Sequence, residues 1–450
     1  LEAENMAIRA FQRIGAHSHI KGLGLDGLKA KPIADGMIGQ IEAREAAGLV
    51  VRMIKEGRMA GRSILLAGPP GTGKTALAVA IAKELGPDVP FVSLSASEVY
   101  SSERKKTEVL MEALRKAIGV RIHEFRKVYE GEITGFELKV TRHPYNPYQQ
   151  IPESARLTLA TKLETKTFTV GQQIATSIVN QNIRVGDVIQ IDAETGRVIR
   201  LGRSEEASGE KYDIEPENKI PRPSGSIEKE KEFVYTLTLQ DLDEMQAKSR
   251  GGIFGLLFGG AERAEIDPEI RQRVDEEVKS LVEEKRAEIL PGVLFIDEVA
   301  MLDIECFAFL TKAIESELSP VIILATNRGI TKIRGTDIES PHGMPLDMLD
   351  RLLIINTKPY GYEEILEILK IRVREEDLDI APETLELVAK TGVESSLRYA
   401  VQILTPAAQI AKAKGKKTIT NEEVEEAKKL FADLKRSVLY LKEYESKLLA

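Results

Sequence analysis

The apolar and polar positions divide the chain into three textures. Over residues 39–57 apolar side chains recur at helical spacing, with Glu42, Arg44, Glu45 and Arg52 read as the surface of that helix. An unbroken apolar run, residues 63–67, predicts a buried strand, and residues 76–85 predict a helix. Residues 90–94 read as a second strand and 105–118 as another helix. This alternation predicts a parallel sheet flanked by helices. Two further apolar runs, 292–296 and 321–325, have the same character and end in polar residues. They come late: Lys74 and Asp297 are 223 positions apart. A neighbouring strand needs only about 60 residues of βα units, so an insert is predicted over residues 121–291.

The insert is patterned differently. Residues 127–140, 156–170, 183–192 and 196–204 are rich in Val, Ile, Thr and Phe, and Asp192-Ala193-Glu194-Thr195-Gly196 has the composition of a hairpin turn. Short strands with Gly turns predict a small barrel of OB-fold type over about residues 126–235. Residues 205–232 are polar and Pro-containing and read as a mobile loop; residues 267–289 read as a charged amphipathic helix. After Lys358 the chain turns helical, over residues 362–376, 383–391, 395–414, 421–431 and 437–449. Thr420 and Glu423 have capping-box spacing at the fourth. The predicted organisation is an α/β core (residues 1–120 and 292–358), a β-rich insert (121–291) and a C-terminal helical lid (359–450).

Composition narrows the class. At 450 residues the chain is too long for one core, and about two or three domains are expected. No run of 18 apolar residues predicts a membrane span, and the mixed, charged N-terminal residues predict no secretory signal. The single cysteine, Cys306, rules out an internal disulfide and suits the reducing cytoplasm; its apolar neighbours predict a buried thiol. A net charge of −8 gives no global footprint for nucleic acid, so any such binding would be local.

The candidate chemistry begins at Gly68-Pro69-Pro70-Gly71-Thr72-Gly73-Lys74-Thr75, between the first strand and its helix. In that context a Gly-rich loop turns backbone N–H groups toward phosphate oxygens, and the helix that begins at Ala76 adds its positive end. Lys74 can reach the β- and γ-phosphates of ATP or ADP, and Thr75 can ligate Mg²⁺. Asp297, at a strand end, can hold the metal; Glu298 beside it can polarise a water. Asn327 ends the next apolar strand and can orient that water, or simply form a strand-end turn. Arg351 has no role in its own site: it is either an arginine supplied to a neighbouring subunit or, as the local sequence favours, a surface partner of Asp350 or Asp347. Arg398 can report nucleotide state from the lid, or be a helix-surface arginine. His17 and His19 form H-x-H in a Gly-containing segment; with no further ligand nearby, a loop over the nucleotide is preferred to a metal site. The apolar, Gly-rich residues 251–260 suit a hinge plug, a subunit contact, a pore-facing loop or buried packing.

Gly68–Thr75, Ile296–Glu298, Ala325–Asn327 and Asp350-Arg351, in that order, resemble an AAA+ ATPase. Arg13–Ile20, Gly36–Gln40, Met301–Glu305, Asn327–Ile330 and Ser340–Gly343 narrow this to the RuvB-like family of pontin and reptin. The resemblance implies a hexameric ring, single or doubled to a dodecamer, with ATP between subunits. It makes Arg351 a trans-acting finger and Arg398 a cis-acting sensor, reversing the local preference for Arg351. It places Ile38, Gly39, Tyr360, Ile368 and Leu397 around the adenine, with His17 and His19 near the nucleotide's exit. It implies that the insert contacts single- or double-stranded nucleic acid or protein clients, with helicase-type activity or ATP-regulated assembly as the outcome. An archaeal member would fit. The family commonly has His after Asp-Glu-Val, where this chain has Ala300.

Overall fold

The computed structural model describes residues 19–58, 63–100, 104–143, 146–206, 219–250 and 265–448. The described residues divide into two units. One takes Leu237–Val278 together with the residues before Arg121 and after Glu288; the other comprises Arg121–Thr236 and Lys279–Glu288. Residues of the expected insert, 121–291, therefore fall in both units.

The first unit is built on a five-stranded parallel sheet in the order Leu352–Asn356, Ser63–Ala67, Val321–Thr326, Val293–Asp297, Phe91–Ser95. These strands are apolar throughout because both faces are covered. Leu65, Leu294, Ile296, Ile322 and Leu324 pack toward helices Lys106–Lys116 and Ile304–Ile314. Their alternates Ile64, Leu66, Phe295 and Ile323 pack toward helices Ile41–Lys55 and Lys74–Leu85. The parallel register aligns the strand ends, placing Asp297 beside Ser95, and Ala67 between Thr326 and Asn356. The Gly68–Thr75 loop, Asp297-Glu298 and Asn327 thus leave the sheet at one edge, its carboxyl edge. Helix Ile304–Ile314 and strand Leu352–Asn356 are elements that the apolar pattern had not marked. Cys306 is buried, and that burial pushes its thiol up to about 11.

In the same unit, helices Tyr362–Glu375, Pro382–Glu394, Leu397–Ala413 and Asn421–Leu430 share an apolar core that includes Leu369, Val388, Ile403, Leu404 and Val424. A fifth helix spans Leu434–Leu448. Glu423 reaches back to the Thr420 N–H at 3.0 Å, completing the expected capping box.

The second unit is β-rich, with its own core of Ile133, Leu157, Leu159, Ile189 and Ile191 under helix Gln172–Asn180. Its eight-stranded sheet runs through Ile118–His143, which pairs with several others. Strands Asp187–Asp192 and Val198–Ser204 pair antiparallel across the expected turn. There Asp192 Oδ1 accepts the N–H groups of Glu194 (2.9 Å) and Thr195 (3.0 Å). Two expectations are corrected. The polar stretch 205–232 is not loop throughout: Lys219–Ile220 and Glu228–Thr238 are strands, while residues 207–218 lie outside the described residues. The helix expected over 267–289 is Pro268–Glu283, and Ala287–Pro291 is a strand pairing with Ile118–His143. Among the described residues no helix is long and apolar enough to cross a membrane.

Candidate nucleotide site

Arg44 was expected on a helix surface; it is fully buried, and it organises one wall of the site. Its Nε donates to the Leu23 carbonyl (2.7 Å), Nη2 to Gly24 (2.9 Å), and Nη1 to Lys31 (2.7 Å) and Gly39 (3.1 Å). Residues 23–39 make almost no regular structure, only two-residue strands, so their carbonyls need partners. One guanidinium supplies four. Burial lowers its pKa, with Asp35 opposing. Substituting Arg44→Met leaves these carbonyls without a donor. The expected loss is about 3 kcal/mol or more in a urea unfolding titration. A loss below about 0.5 kcal/mol, typical of surface substitutions, would remove this role.

The strap so held closes a cavity of about 370 Å³ at the carboxyl edge of the sheet. The floor is the phosphate loop from Pro70 through Gly71, Thr72, Gly73, Lys74 and Thr75 to Ala76. Gly73 is left-handed at φ 78°, and an added Cβ would stand 2.4 Å from the Tyr360 hydroxyl, so a side chain there would strain the backbone and displace Tyr360. Lys74 Nζ donates to the carbonyls of Gly68 (3.0 Å) and Pro69 (2.8 Å). Burial lowers the Lys74 pKa and Arg398 acts in the same direction, while Asp297 opposes both. Lysine, aspartate and the lid arginine are therefore within electrostatic reach of one another, although they lie far apart in sequence.

Asp297, Glu298 and Asn327 line the same cavity. Asp297 Oδ1 accepts the Glu298 N–H at 2.8 Å. Glu298 adopts φ 54°, ψ 39°, a left-handed backbone at a non-glycine residue, just before the short 3-10 turn Val299–Met301. Such a conformation costs on the order of 1–3 kcal/mol and concentrates at working sites.

The upper walls are apolar. Ile38 faces the cavity from the strap, Tyr360 from the connection between strand Leu352–Asn356 and helix Tyr362–Glu375, and Ile368 and Leu397 from the lid helices. Tyr360 donates to the Thr72 carbonyl at 3.4 Å, and burial pushes its phenol up to about 12. His19 lines the cavity too; burial lowers its pKa, Glu375 opposes that shift and Arg372 reinforces it. His17 and residues 251–260 lie outside the described residues.

Three of the expected site residues sit differently. Gly39 and Gly68 adjoin the cavity without lining it: a Cβ on Gly39 would stand 2.1 Å from Glu364 Oε1, and one on Gly68 2.2 Å from Thr357 Oγ1. Arg351 is not in the cavity, and its partner is neither Asp350 nor Asp347. Its Nη1 meets Glu315 Oε1 at 2.7 Å, and its carbonyl accepts the Ser63 N–H at 3.1 Å. Ser63 opens the strand whose other end carries the phosphate loop. Five residues at about 3.3 Å each put Arg351 roughly 16 Å below the site. Sequence reasoning also missed Met37, Ile371, Arg372, Glu375 and Val401. Ile368, Ile371, Arg372 and Glu375 recur at helical spacing, a signal that marks a shared face without saying what the face meets.

The chain matches the TIP49 P-loop domain over residues 13–363. It belongs to the TIP49 family. The TIP49 AAA-lid domain follows at residues 368–433, the helical bundle described above. Over 442 residues the chain is 48% identical to RuvB-like protein 1 of Arabidopsis thaliana, covering 97% of this chain and 96% of that one. Over 443 residues it is 47% identical to RuvB-like helicase 1 of Aedes aegypti, covering 97% of each. The RuvB-like resemblance therefore holds across nearly the whole chain. These relatives come from a plant and an insect and give the archaeal expectation no support. As a TIP49 P-loop protein with an AAA lid, the chain is a nucleotide-binding ATPase.

Proposed function

We propose that the chain hydrolyses ATP at the interfaces of a homo-oligomeric ring, with Arg351 supplied by the neighbouring subunit. The observation that carries this reading is the cavity that brings Lys74, Asp297, Glu298, Asn327 and Arg398 together while leaving Arg351 at the far end of its own sheet. Within one subunit the loop N–H groups and Lys74 would bind the β- and γ-phosphates. Thr75 and Asp297 would hold Mg²⁺, which neutralises charge on those phosphates. Glu298 would take the proton of a water that Asn327 orients. Arg398 would sense the γ-phosphate, and Ile38, Ile368 and Leu397 would enclose the adenine. His17 and His19 would lie near the nucleotide's exit. A cytoplasmic location and a hexamer or dodecamer belong to the same proposal.

The work done by this ATPase depends on the β-rich unit, which we read as OB-like and nucleotide-driven. The relative named RuvB-like helicase 1 supports a DNA-related motor. Phe125, two-thirds exposed on this unit, is the kind of aromatic on which a base can stack. The charge pattern favours a second reading, an assembly platform for protein clients. Arg126, Arg200, Arg222 and Lys229 are engaged by Asp192, Asp187, Glu132 and Glu130 at 2.6–3.2 Å, which leaves them little to offer phosphates. Steady-state ATP hydrolysis with and without single- and double-stranded DNA, at fixed low salt, separates the two. Stimulation by DNA is the motor's result; a rate indifferent to DNA is the platform's.

A further inference from the structure

The residue that joins the strap to the lid is Gln40, which plays no part in the chemistry described so far. Its backbone is left-handed, at φ 50° and ψ 38°, and its side chain makes no capping bond to the helix that follows. Instead the amide spans 318 positions. Nε2 donates to the Lys358 carbonyl at 2.5 Å, and Oε1 accepts the Lys358 N–H at 3.1 Å. Both backbone groups of one residue are thus taken by one side chain, which an amide can do and a carboxylate cannot.

Lys358 occupies the connection between the core and the lid. The last sheet strand ends at Asn356, and the first lid helix begins at Tyr362. Two residues past Lys358, Tyr360 lines the cavity and touches the phosphate loop through Thr72. The amide of Gln40 also pulls the Tyr360 phenol's pKa down against the rise that burial imposes. On the other side of Gln40, Ile38 and Met37 form the cavity's strap wall. Gly39 leaves room for the first turn of the lid: an added Cβ would stand 2.1 Å from Glu364 Oε1, and Glu364 Oε2 accepts the Gly361 N–H at 2.8 Å. An exposed ion pair, Lys358 to Glu42 at 2.8 Å, runs alongside.

We propose that Gln40 is a positioning residue that locks the strap wall to the lid hinge, so that seating a nucleotide base between Ile38 and Ile368 fixes the lid. The inference rests on the cavity's being the nucleotide site. A base filling the cavity must touch strap and lid together. If the two walls move independently, each binding event has to order both; the amide clasp orders them beforehand. Gln40 would touch no reacting atom, so its effect belongs in nucleotide retention rather than in the chemical step.

The test is release of a fluorescent ADP from the full chain, followed by stopped flow, with thermal unfolding alongside. Gln40→Gly separates the two roles the residue can have. Glycine accepts the left-handed backbone without strain but carries no amide. The expected result is ADP release faster by about tenfold, with the unfolding temperature lowered by no more than the few degrees that two lost hydrogen bonds cost. Gln40→Glu keeps the side chain's bulk and replaces the donor with an acceptor facing the Lys358 carbonyl. It is expected to release ADP at least as fast as Gln40→Gly. Lys74→Ala serves as the control for the cavity itself. ADP that binds the wild type and not Lys74→Ala establishes the site whatever Gln40 does. With that in hand, wild-type release rates in both Gln40 variants overturn the coupling. So does a lowered unfolding temperature with unchanged release. A wild-type chain that binds no ADP overturns the reading of the cavity and the coupling with it.

Discussion

Glu298→Gln is expected to bind ATP as the wild type does and to turn it over about 10² to 10⁴ times more slowly. The amide has the carboxylate's shape and can keep its hydrogen bonds, but it cannot take a proton at neutral pH. Glu298 is the group held in left-handed backbone at the cavity's edge, one residue past the strand end where Asp297 points into the same space. Such strain persists only where surrounding structure maintains it; here the Asp297 Oδ1 bond to the Glu298 N–H is part of that support. The check is ATP affinity by equilibrium titration together with phosphate release under saturating ATP. Equal turnover in the variant would remove Glu298 from the chemistry. Lost binding would make it part of the nucleotide's seat.

Arg351→Ala is expected to lower turnover by roughly 10³-fold or more while leaving ATP affinity within its own subunit intact. The Arg351 side chain makes a half-exposed pairing with Glu315, and exposed ion pairs contribute about 0–1 kcal/mol, so the substitution should cost little stability. Its place at the amino end of the sheet gives it no route to its own phosphate loop. Mixing supplies the decisive readout. Arg351→Ala subunits keep Glu298, and Glu298→Gln subunits keep Arg351. Where the two alternate in a ring, a functional arginine meets a functional glutamate, and activity above that of either variant alone is the expected result. A mixture no more active than its components would mean that Arg351 does not act across subunits.

Much of the site was legible because it is contiguous or punctuated. The phosphate loop is one run of eight residues, and the strand before it and the helix after it fall where the apolar pattern put them. Asp297 and Asn327 could be found because each ends an apolar run, and a buried strand has to stop somewhere polar. Ile38, Tyr360, Ile368 and Leu397 were reached through family resemblance, and they do line the cavity. Glu228–Thr238 was misread because its charged first half looks like loop, yet a largely exposed strand can keep charged side chains on its open face while its backbone pairs.

The sequence by itself determined the local chemistry: a phosphate-binding turn, two acids after a buried strand, and a helical C-terminal segment. Each is set by backbone freedom or by the period of apolar positions, which are properties of neighbouring residues. Only the tertiary structure decided that Arg44 is core rather than surface, because its partners are four carbonyls contributed by a strap of irregular backbone. The same holds for Gln40, whose partner is 318 positions away, and for Arg351, whose distance from the phosphate loop follows from the parallel pairing of Leu352–Asn356 with Ser63–Ala67. A polar side chain's role is fixed by which unpaired groups the fold brings to it, and no periodicity in the chain encodes those partners.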